Sequence, residues 1–360
     1  MNPIANKKQR NGSVEFFRCL LMFLIVFWHC YDCGPFGRGA DPAMWSVFFA
    51  LTFWHVDGFI AISGWYGIRF AWSKVIRLWG LMAFATLSSI LFAFATRMPI
   101  RKEMFTISGG WFGGSYMLLM FMAPLIESAL IFGMKQSRKH LLYIWGILAL
   151  GMTLAWMPFL SKFFGVHPAG GGGWSFLTLM FVYITARVLK MVGIKYSKRL
   201  LFLGVLILIC SQFVLGGGAI ILRHLTGQRI WGFVWGAFST YDAPHMWMFA
   251  IILLITFEQG VKIPNWLSRL SCFLAPSMFP VYLIHHNSRL AKYLYVKPEI
   301  WMHEHLGIHN FINILMAAIF CFSVCVLFDI LRRVFLNPFM PFISRHLSMI
   351  DKKWDDITRS

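Results

Sequence analysis

The sequence predicts an all-α integral membrane protein, a bundle of about ten transmembrane helices. Of its 360 residues, 58% are hydrophobic and only 13% are charged, whereas soluble domains carry roughly 25% charged residues. Apolar runs of spanning length recur about ten times along the chain. The basic residues gather in short clusters between these runs, as they do in the cytoplasmic loops of multi-pass proteins.

The apolar runs follow one another with short polar linkers. The first run begins after a polar, basic segment and has no small-residue cleavage site, so we interpret it as a retained span and not as a signal peptide. We expect a cytoplasmic segment at 1–13, a membrane domain at 14–335 and a cytoplasmic tail at 336–360. The predicted spans are 14–31, 44–64, 75–96, 111–133, 141–158, 174–193, 200–222, 244–258, 272–290 and 311–335.

Ten spans put both termini on one side of the membrane, and the basic residues indicate which side. With the N-terminus inside, the inner segments hold twenty-two of the 33 Lys and Arg residues, the outer loops hold ten, and Arg18 lies within the first span. We therefore predict an N-in, C-in topology. The net charge is +19. The basic residues lie in clusters at the predicted membrane edges and form no single basic face, so we expect membrane lipid as a partner and not nucleic acid.

The first span, VEFFRCLLMFLIVFWHC at 14–30, carries ionisable residues at both ends. Arg18 and His29 are eleven residues apart, about three helical turns, so they share a face and lie roughly 16 Å apart along the axis. Glu15 is one turn before Arg18 and can pair with it. Snorkelling to the two interfaces is the plain alternative. Because both residues share one face, we favour an internal tunnel that both side chains line.

The second span contains HVDGFIAISGW at 55–65. Asp57 is costly to bury alone, so we expect Arg18 or a histidine as its partner. Ser63 is polar on the same helix. Lys74 and Arg77 follow, one turn apart, in WSKVIRLWG at 72–80. They are either anchors at the cytoplasmic edge or a clamp for the phosphates of a cytosolic cofactor.

Three later features complete the candidates. Trp111 and Tyr116 open the fourth span, where aromatic residues often form only an interfacial belt. His285 and its neighbour His286 lie inside the ninth run, where histidine is rare without a role. The histidines of KPEIWMHEHLGIHN at 297–310 do not have a metal-ligand spacing, so we expect an interfacial loop there and no metal. Cys30 and Cys33 form a CxxC, either a disulfide or, as we favour, an incidental pair.

In this order the motifs resemble those of the membrane acyltransferase-3 family of bacterial polytopic O-acyltransferases. The resemblance covers about residues 14 to 335. It is carried by RCLLMFLIVFWH, VDGFIAISGWYG, SKVIRLWG, GGWFGGSYMLLMFMAPLI and FPVYLIHH. Where the family often has Arg-x-x-Arg, this chain has Lys74-x-x-Arg77, which keeps the charge but loses one bidentate fork.

The resemblance implies transfer of an acyl group to a hydroxyl of an envelope glycan or glycolipid at the cell (inner) membrane. The donor is expected to be cytosolic acetyl-CoA or another acyl-CoA. Since a thioester is already activated, no metal is required. His29 is the expected general base, and Arg18 would orient the donor. The catalytic candidates are His29, Arg18 and Asp57; the donor-binding candidates are Lys74 and Arg77; the further candidates are Glu15, Ser63, Trp111, Tyr116 and His285.

Two other functions fit the same residues. A transporter or flippase of a glycan-lipid or acylated substrate would line its path with intramembrane Arg, His and Asp, although the sequence has no evident internal repeat. Transfer to an amine would use the same fold with another acceptor.

The first prediction is topological. Reporter fusions at the N-terminus and at the C-terminus should both report the cytoplasm, because an even number of spans returns the chain to its starting side. Reporters on opposite sides would remove one span and would move His29 to the other side of the membrane.

Overall fold

The computed structural model describes residues 10–37, 44, 48–49, 52–98, 110–157, 175–193, 195–238, 240–307 and 309–359. These ranges are helical almost throughout and contain no strand. Residues 1–9 of the predicted N-terminal segment, and residues 45–47 and 50–51 of the predicted span 44–64, lie outside them. The all-α prediction is therefore confirmed for the described part of the chain.

The helices in chain order are α1 Gly12–Cys33, α2 His55–Tyr66, α3 Trp72–Ala95, α4 Gly110–Gln136, α5 Arg138–Trp156, α6 Phe176–Val192, α7 Lys198–Ser211, α8 Gly218–Thr226, α9 Arg229–Phe238, α10 Pro244–Gln259, α11 Asn265–Leu274, α12 Met278–His285, α13 Ser288–Ala291, α14 Lys297–Leu306, α15 Asn310–Leu336 and α16 Met340–Arg359. Short π-helices join α7 to α8 and α13 to α14, at Gln212–Gly217 and Lys292–Val296. Short 3-10 helices join α11 to α12 and α15 to α16, at Ala275–Ser277 and Asn337–Phe339.

Seven helical stretches within the described ranges are long and apolar enough to cross a membrane, which indicates a multi-pass membrane protein. They are Gly12–Cys33, Trp72–Ala95, Gly110–Gln136, Arg138–Trp156, Lys198–Thr226, Asn265–His285 and Asn310–Trp354. The other three predicted spans contain α2, α6 and α10. These helices have 12, 17 and 16 residues, fewer than any of the seven stretches above.

The three short helices lie inside the bundle. Helix α2 packs against α6, α10 and α1. A Cβ at Gly64 of α2 would collide with the backbone carbonyl of Tyr183 in α6, so glycine permits the close approach of these two helices. Their interior position explains how they can be short and carry polar residues.

Helix α1 is the central span. It packs against α2, α10, α11, α12 and α15, and 61% of its apolar stretch is buried, against 6% for the peripheral α5. Phe17 and Leu21 are fully enclosed. A helix surrounded by protein can carry ionisable residues that would be costly against lipid, so the sequence feature that singles out this helix is consistent with its place in the bundle.

One expectation about a polar segment is wrong. The segment 297–310 is not a loop, because Lys297–Leu306 forms α14 and buries Glu299 and Met302. This helix is held against α15 by a hydrogen bond of 2.9 Å from the Asn313 side chain to the Glu299 carbonyl. The buried side chain of Met302 adds apolar contact. Cys30 and Cys33 form no disulfide; Cys30 is buried and Cys33 is exposed.

The predicted tail is also ordered as a helix within the described residues. Helix α16 packs against α3. The Asp351 carboxylate accepts a hydrogen bond from the Ser73 amide, 3.0 Å, and so satisfies one of the free N–H groups in the first turn of α3. The Trp354 ring lies 5.6 Å from the Trp72 ring. Helix α16 therefore holds the beginning of α3, where Lys74 and Arg77 lie.

Glu299 generates a prediction about pH. Its buried carboxylate accepts a hydrogen bond from the Phe36 amide, 3.4 Å, and burial raises the pKa of this carboxyl from 4.5 to about 7. A carboxyl with a raised folded-state pKa stabilises the fold below its unfolded-state pKa and loses that contribution as pH rises to the folded-state pKa. The melting temperature should therefore fall as pH rises from about 4.5 to about 7, and Glu299→Gln should flatten this slope.

The measurement is a thermal melt of the purified protein at several pH values. Glu304→Gln is the matched control, because Glu304 is on the same helix but exposed. An unchanged slope in Glu299→Gln would mean that Glu299 is ionised across this range and that its burial is relieved in solution.

Candidate functional site

A cavity of about 1520 Å³ runs along α1. Glu15 and Arg18 line it near the beginning of the helix, and His29 lines it near the end. Helix α2 runs in the opposite direction beside α1, so Tyr66 lines the first end of the cavity and His55 the second. We call these the cationic end and the histidine end, after the residues described below.

Seven cationic side chains line the cavity against three acidic ones. The cations are Arg10, Arg18, Arg69, Lys74, Arg77, Arg187 and Lys190, and the acids are Glu15, Asp32 and Glu258. Both members of the predicted clamp, Lys74 and Arg77, are in this set. The excess of positive charge favours an anionic ligand at this end.

Some of these cations are engaged by the protein. Arg18 Nη1 lies 3.1 Å from Glu15 Oε2, the pairing that the sequence spacing allows. Lys74 Nζ donates to the Arg69 carbonyl, 2.7 Å. The guanidinium groups of Arg69 and Arg77 form no ion pair or hydrogen bond with any residue that the structure describes. These two exposed groups are therefore available to an anion.

Arg187 is fixed by a partly buried network on the wall of the cavity. Its Nε and Nη2 both lie 2.9 Å from Glu127 Oε2. The Tyr183 hydroxyl donates to Glu127 Oε1, 2.6 Å, and accepts from the Ile68 amide, 3.0 Å. Gly67 has φ +75°, and a Cβ there would lie 3.1 Å from the Arg187 Cζ. Glycine therefore allows the backbone between α2 and α3 to pack directly against the Arg187 guanidinium.

Glu258 joins three helices at the cationic end. Its Oε2 accepts from the Asn11 side chain and from the Tyr66 hydroxyl, both at 2.8 Å. Its Oε1 lies 3.5 Å from Lys190 Nζ. Because Asn11 also caps α1, this carboxylate holds the beginning of α1, the end of α2 and the end of α6 together.

At the histidine end, His29 is hydrogen-bonded to His285. His29 Nδ1 lies 2.9 Å from His285 Nε2, and His285 Nδ1 lies 2.7 Å from the Val281 carbonyl. A carbonyl only accepts, so Nδ1 of neutral His285 carries the proton and Nε2 accepts. His29 therefore donates through Nδ1, and its Nε2 is left unprotonated. The backbone thus sets the tautomers of both rings, and His29 can accept a proton at Nε2.

Other predicted candidates line the cavity between its ends. The Ser63 hydroxyl donates to the Phe59 carbonyl, 3.1 Å, so in the 3.3 Å contact with the Tyr116 hydroxyl tyrosine is the donor. Trp111 lines the histidine end, 6.0 Å from the Tyr241 ring.

The N-terminus of α4 approaches His286 closely. Gly110 has φ +62°, and a Cβ there would lie 3.2 Å from His286 Nε2 and 2.8 Å from the Tyr282 hydroxyl. His286 lines the cavity, whereas His285 lies behind His29.

The prediction that Arg18 or a histidine pairs with Asp57 is wrong. Arg18 pairs with Glu15 instead, and neither oxygen of the fully buried Asp57 carboxylate has a hydrogen-bond partner among the described residues. Asp57 does not line the cavity. Its catalytic role stays a prediction.

Sequence reasoning missed several residues of the site. His55 lies in the same segment as Asp57 and Ser63, and a histidine in an apolar run is itself a signal of function. Glu127, Arg187 and Glu258 are ionisable residues in or beside predicted spans, which gave the same signal. No sequence pattern pointed to Tyr241. Within the described residues, no cluster of three His, Cys, Asp or Glu side chains could hold a metal ion.

Comparisons with family models, curated proteins and solved structures find no match to this chain. The fold and the cavity themselves define the class: a multi-pass helical membrane protein with an internal cavity that is cationic at one end and rich in histidine at the other.

Proposed function

We propose that this protein is a membrane-embedded O-acyltransferase that moves an acyl group, acetyl in the simplest case, from cytosolic acyl-CoA to a hydroxyl of an envelope glycan or glycolipid. The observation that carries the proposal is that one cavity joins an anion-attracting end to a histidine whose Nε2 is held unprotonated. The motif resemblance to the acyltransferase-3 family points to the same reaction.

The proposed orientation has ten spans in the inner membrane, with both termini in the cytoplasm. Helices α2, α6 and α10 then belong to three spans within the bundle. The cationic end opens toward the cytosol, where acyl-CoA is made, and the histidine end lies toward the outer face, where envelope glycans are. The charge asymmetry of the loops supports this orientation.

The donor would bind at the cationic end. Coenzyme A carries several phosphate groups, and Arg69, Lys74 and Arg77 present cationic groups close together in the chain. Arginine fits two phosphate oxygens at once, whereas lysine acts as a point charge. The long pantetheine arm would follow the cavity past Ser63 and Tyr116 and bring the thioester to His29.

The reaction then needs one base. His29 Nε2 takes the proton of the acceptor hydroxyl while the hydroxyl oxygen attacks the thioester carbonyl. The C–S bond of the tetrahedral intermediate breaks, the ester C–O bond remains, and the thiolate leaves as CoA with the proton that His29 returns. Throughout, His29 Nδ1 donates to His285 Nε2, so the imidazolium is stabilised without rearrangement of the hydrogen bonds.

Transport of a glycan-lipid without chemistry is the other candidate, since a long cavity also suits a path. The histidine pair argues for chemistry, because a path needs polar groups but not a fixed tautomer. Release of CoA by the purified protein in the presence of acceptor separates the two functions.

The donor site is tested by Lys74→Ala combined with Arg77→Ala. The KM for acyl-CoA should rise strongly, because each lost phosphate contact costs about 1–3 kcal/mol. The matched control is Lys198→Ala with Arg199→Ala, an exposed pair of the same charge at the start of α7 and outside the cavity. If the KM for acyl-CoA is the same in the two double variants, Lys74 and Arg77 serve only as membrane anchors.

The base is tested by His29→Ala, assayed with saturating donor and quantified by mass spectrometry of the glycan. The rate should fall by about 100- to 10,000-fold, while thermal stability stays near that of the wild type. His245→Ala is the control, because His245 is buried but does not line the cavity. Near-normal acylation by folded His29→Ala would overturn the proposed role of His29.

Neighbouring variants sharpen this test. His285→Ala should reduce the rate more than His286→Ala, because only His285 is hydrogen-bonded to His29. Arg18→Lys should keep more of the wild-type stability than of the wild-type activity. An ammonium keeps the charge opposite Glu15 but not the guanidinium geometry.

A further inference from the structure

His286 is a residue of the histidine end to which the proposed reaction gives no role. It lines the cavity and is exposed, whereas its neighbour His285 is fully buried. The His286 ring nitrogens form no hydrogen bond with any residue that the structure describes. A neutral imidazole always carries one N–H, so His286 has an uncommitted donor for a molecule in the cavity.

The His286 ring lies beside the proposed base. Its centroid is 5.1 Å from that of the His29 ring, and the two ring planes meet at 47°. In acyl transfer to a hydroxyl, the hydroxyl oxygen lies about 3 Å from the base, and the carbonyl oxygen lies about 3 Å from its hydrogen-bond donor. Two imidazoles at this separation can therefore act on the two oxygens of one reaction.

Two contacts hold the His286 ring in place. The ring stacks on Tyr282, with a centroid distance of 5.3 Å and an interplanar angle of 13°. The first residue of α4 also approaches it, because a Cβ at Gly110 would lie 3.1 Å from His286 Cδ2 and 3.2 Å from its Nε2. A donor of fixed orientation stabilises a charge that develops during a reaction without the cost of reorganisation.

The surroundings of His286 favour a neutral imidazole. Helix α4 has 27 residues, and the beginning of a long helix carries a partial positive charge. His29 becomes cationic when it takes the proton of the acceptor, so a second cation beside it would be unfavourable. A neutral imidazole next to a helix N-terminus is suited to polarise a carbonyl group by donating a hydrogen bond to it.

We propose that His286 stabilises the oxyanion of the reaction by donating one ring N–H to the carbonyl oxygen of the acyl donor. As the acceptor oxygen attacks the carbonyl carbon, a C–O bond forms and the π electrons of the carbonyl move to its oxygen, where the His286 N–H stabilises the negative charge. The electron pair returns when the C–S bond breaks. This inference rests on the proposed function and adds a catalytic residue to it.

The kinetic experiment uses the full-length protein, acetyl-CoA and methyl glucoside as the acceptor probe. His286→Phe keeps an aromatic ring against Tyr282 and removes both nitrogens. The kcat should fall about 100-fold, the usual loss for one oxyanion donor, with the KM for acetyl-CoA unchanged, because the hydrogen bond strengthens only in the transition state. His286→Gln should regain most of the lost rate, since its amide can donate.

The matched control is His305→Phe, because His305 is also exposed but lies outside the cavity; its kcat should equal that of the wild type. If His286→Phe does not fold, His286→Ala replaces it. A wild-type kcat in the folded variant would overturn the oxyanion role. A loss of kcat that His286→Gln does not recover would also overturn it, since the ring would then act by its shape and not by its N–H.

A spectroscopic measurement separates this inference from the proposed function. The probe is the ketone analogue of acetyl-CoA in which CH2 replaces the thioester sulfur, with carbon-13 at the carbonyl. A hydrogen bond from His286 lowers the infrared stretching frequency of the bound carbonyl, so the frequency should be higher in His286→Phe than in the wild type. This difference supports the inference even if no acyl transfer is found.

Equal frequencies in the two proteins would overturn the role of His286 even if His29→Ala proves inactive and the acyltransferase function stands. If the analogue does not bind to the wild-type protein, the donor site and the role of His286 are overturned together.

Discussion

The ionisable residues of α1 have to be kept away from lipid, and the arrangement of the bundle follows from that constraint. A charge facing hydrocarbon is costly, so a span that carries Glu15, Arg18 and His29 is most stable with protein on every side. Five helices pack around α1, whereas α5, with only 6% of its apolar stretch buried, lies at the periphery. Within this enclosure Glu15, Arg18 and His29 line the internal cavity.

The opposite directions of successive helices give this cavity two different ends. The beginning of α1 meets the end of α2, and the shared carboxylate of Glu258 holds them together. The end of α1 meets the beginning of α2, so His29 and His55 face the same volume. The cationic end combines cations paired with Glu15, Glu127 and Glu258 with Arg69 and Arg77, whose guanidinium groups have no partner among the residues that the structure describes. A fixed frame with free charges suits an exchangeable anionic ligand.

The pair of histidines shows how a backbone group can set chemistry in a membrane. The Val281 carbonyl fixes the proton of His285, and His285 then fixes the proton of His29. The His29 nitrogen that can accept a proton is thus determined by a helix position and needs no buried carboxylate. Both rings can be neutral before a proton is accepted, so the pair avoids the free-energy cost of another charge inside the membrane. Asp57, the buried carboxylate that was expected to take part, is instead enclosed away from the cavity.

The sequence by itself determined the helical membrane class, most span positions, the Glu15–Arg18 pair and the shared face of Arg18 and His29, because these depend on hydropathy and on spacing within one helix. Its errors were the loop at 297–310, which buries Met302 as a helix, and the partner of Asp57. Only the tertiary structure decided which residues from different helices meet: His285 with His29, Arg187 with Glu127, and His55 with Tyr241. Spacing along a chain fixes a face of one helix, whereas contacts between helices depend on their packing and direction, which no local pattern encodes.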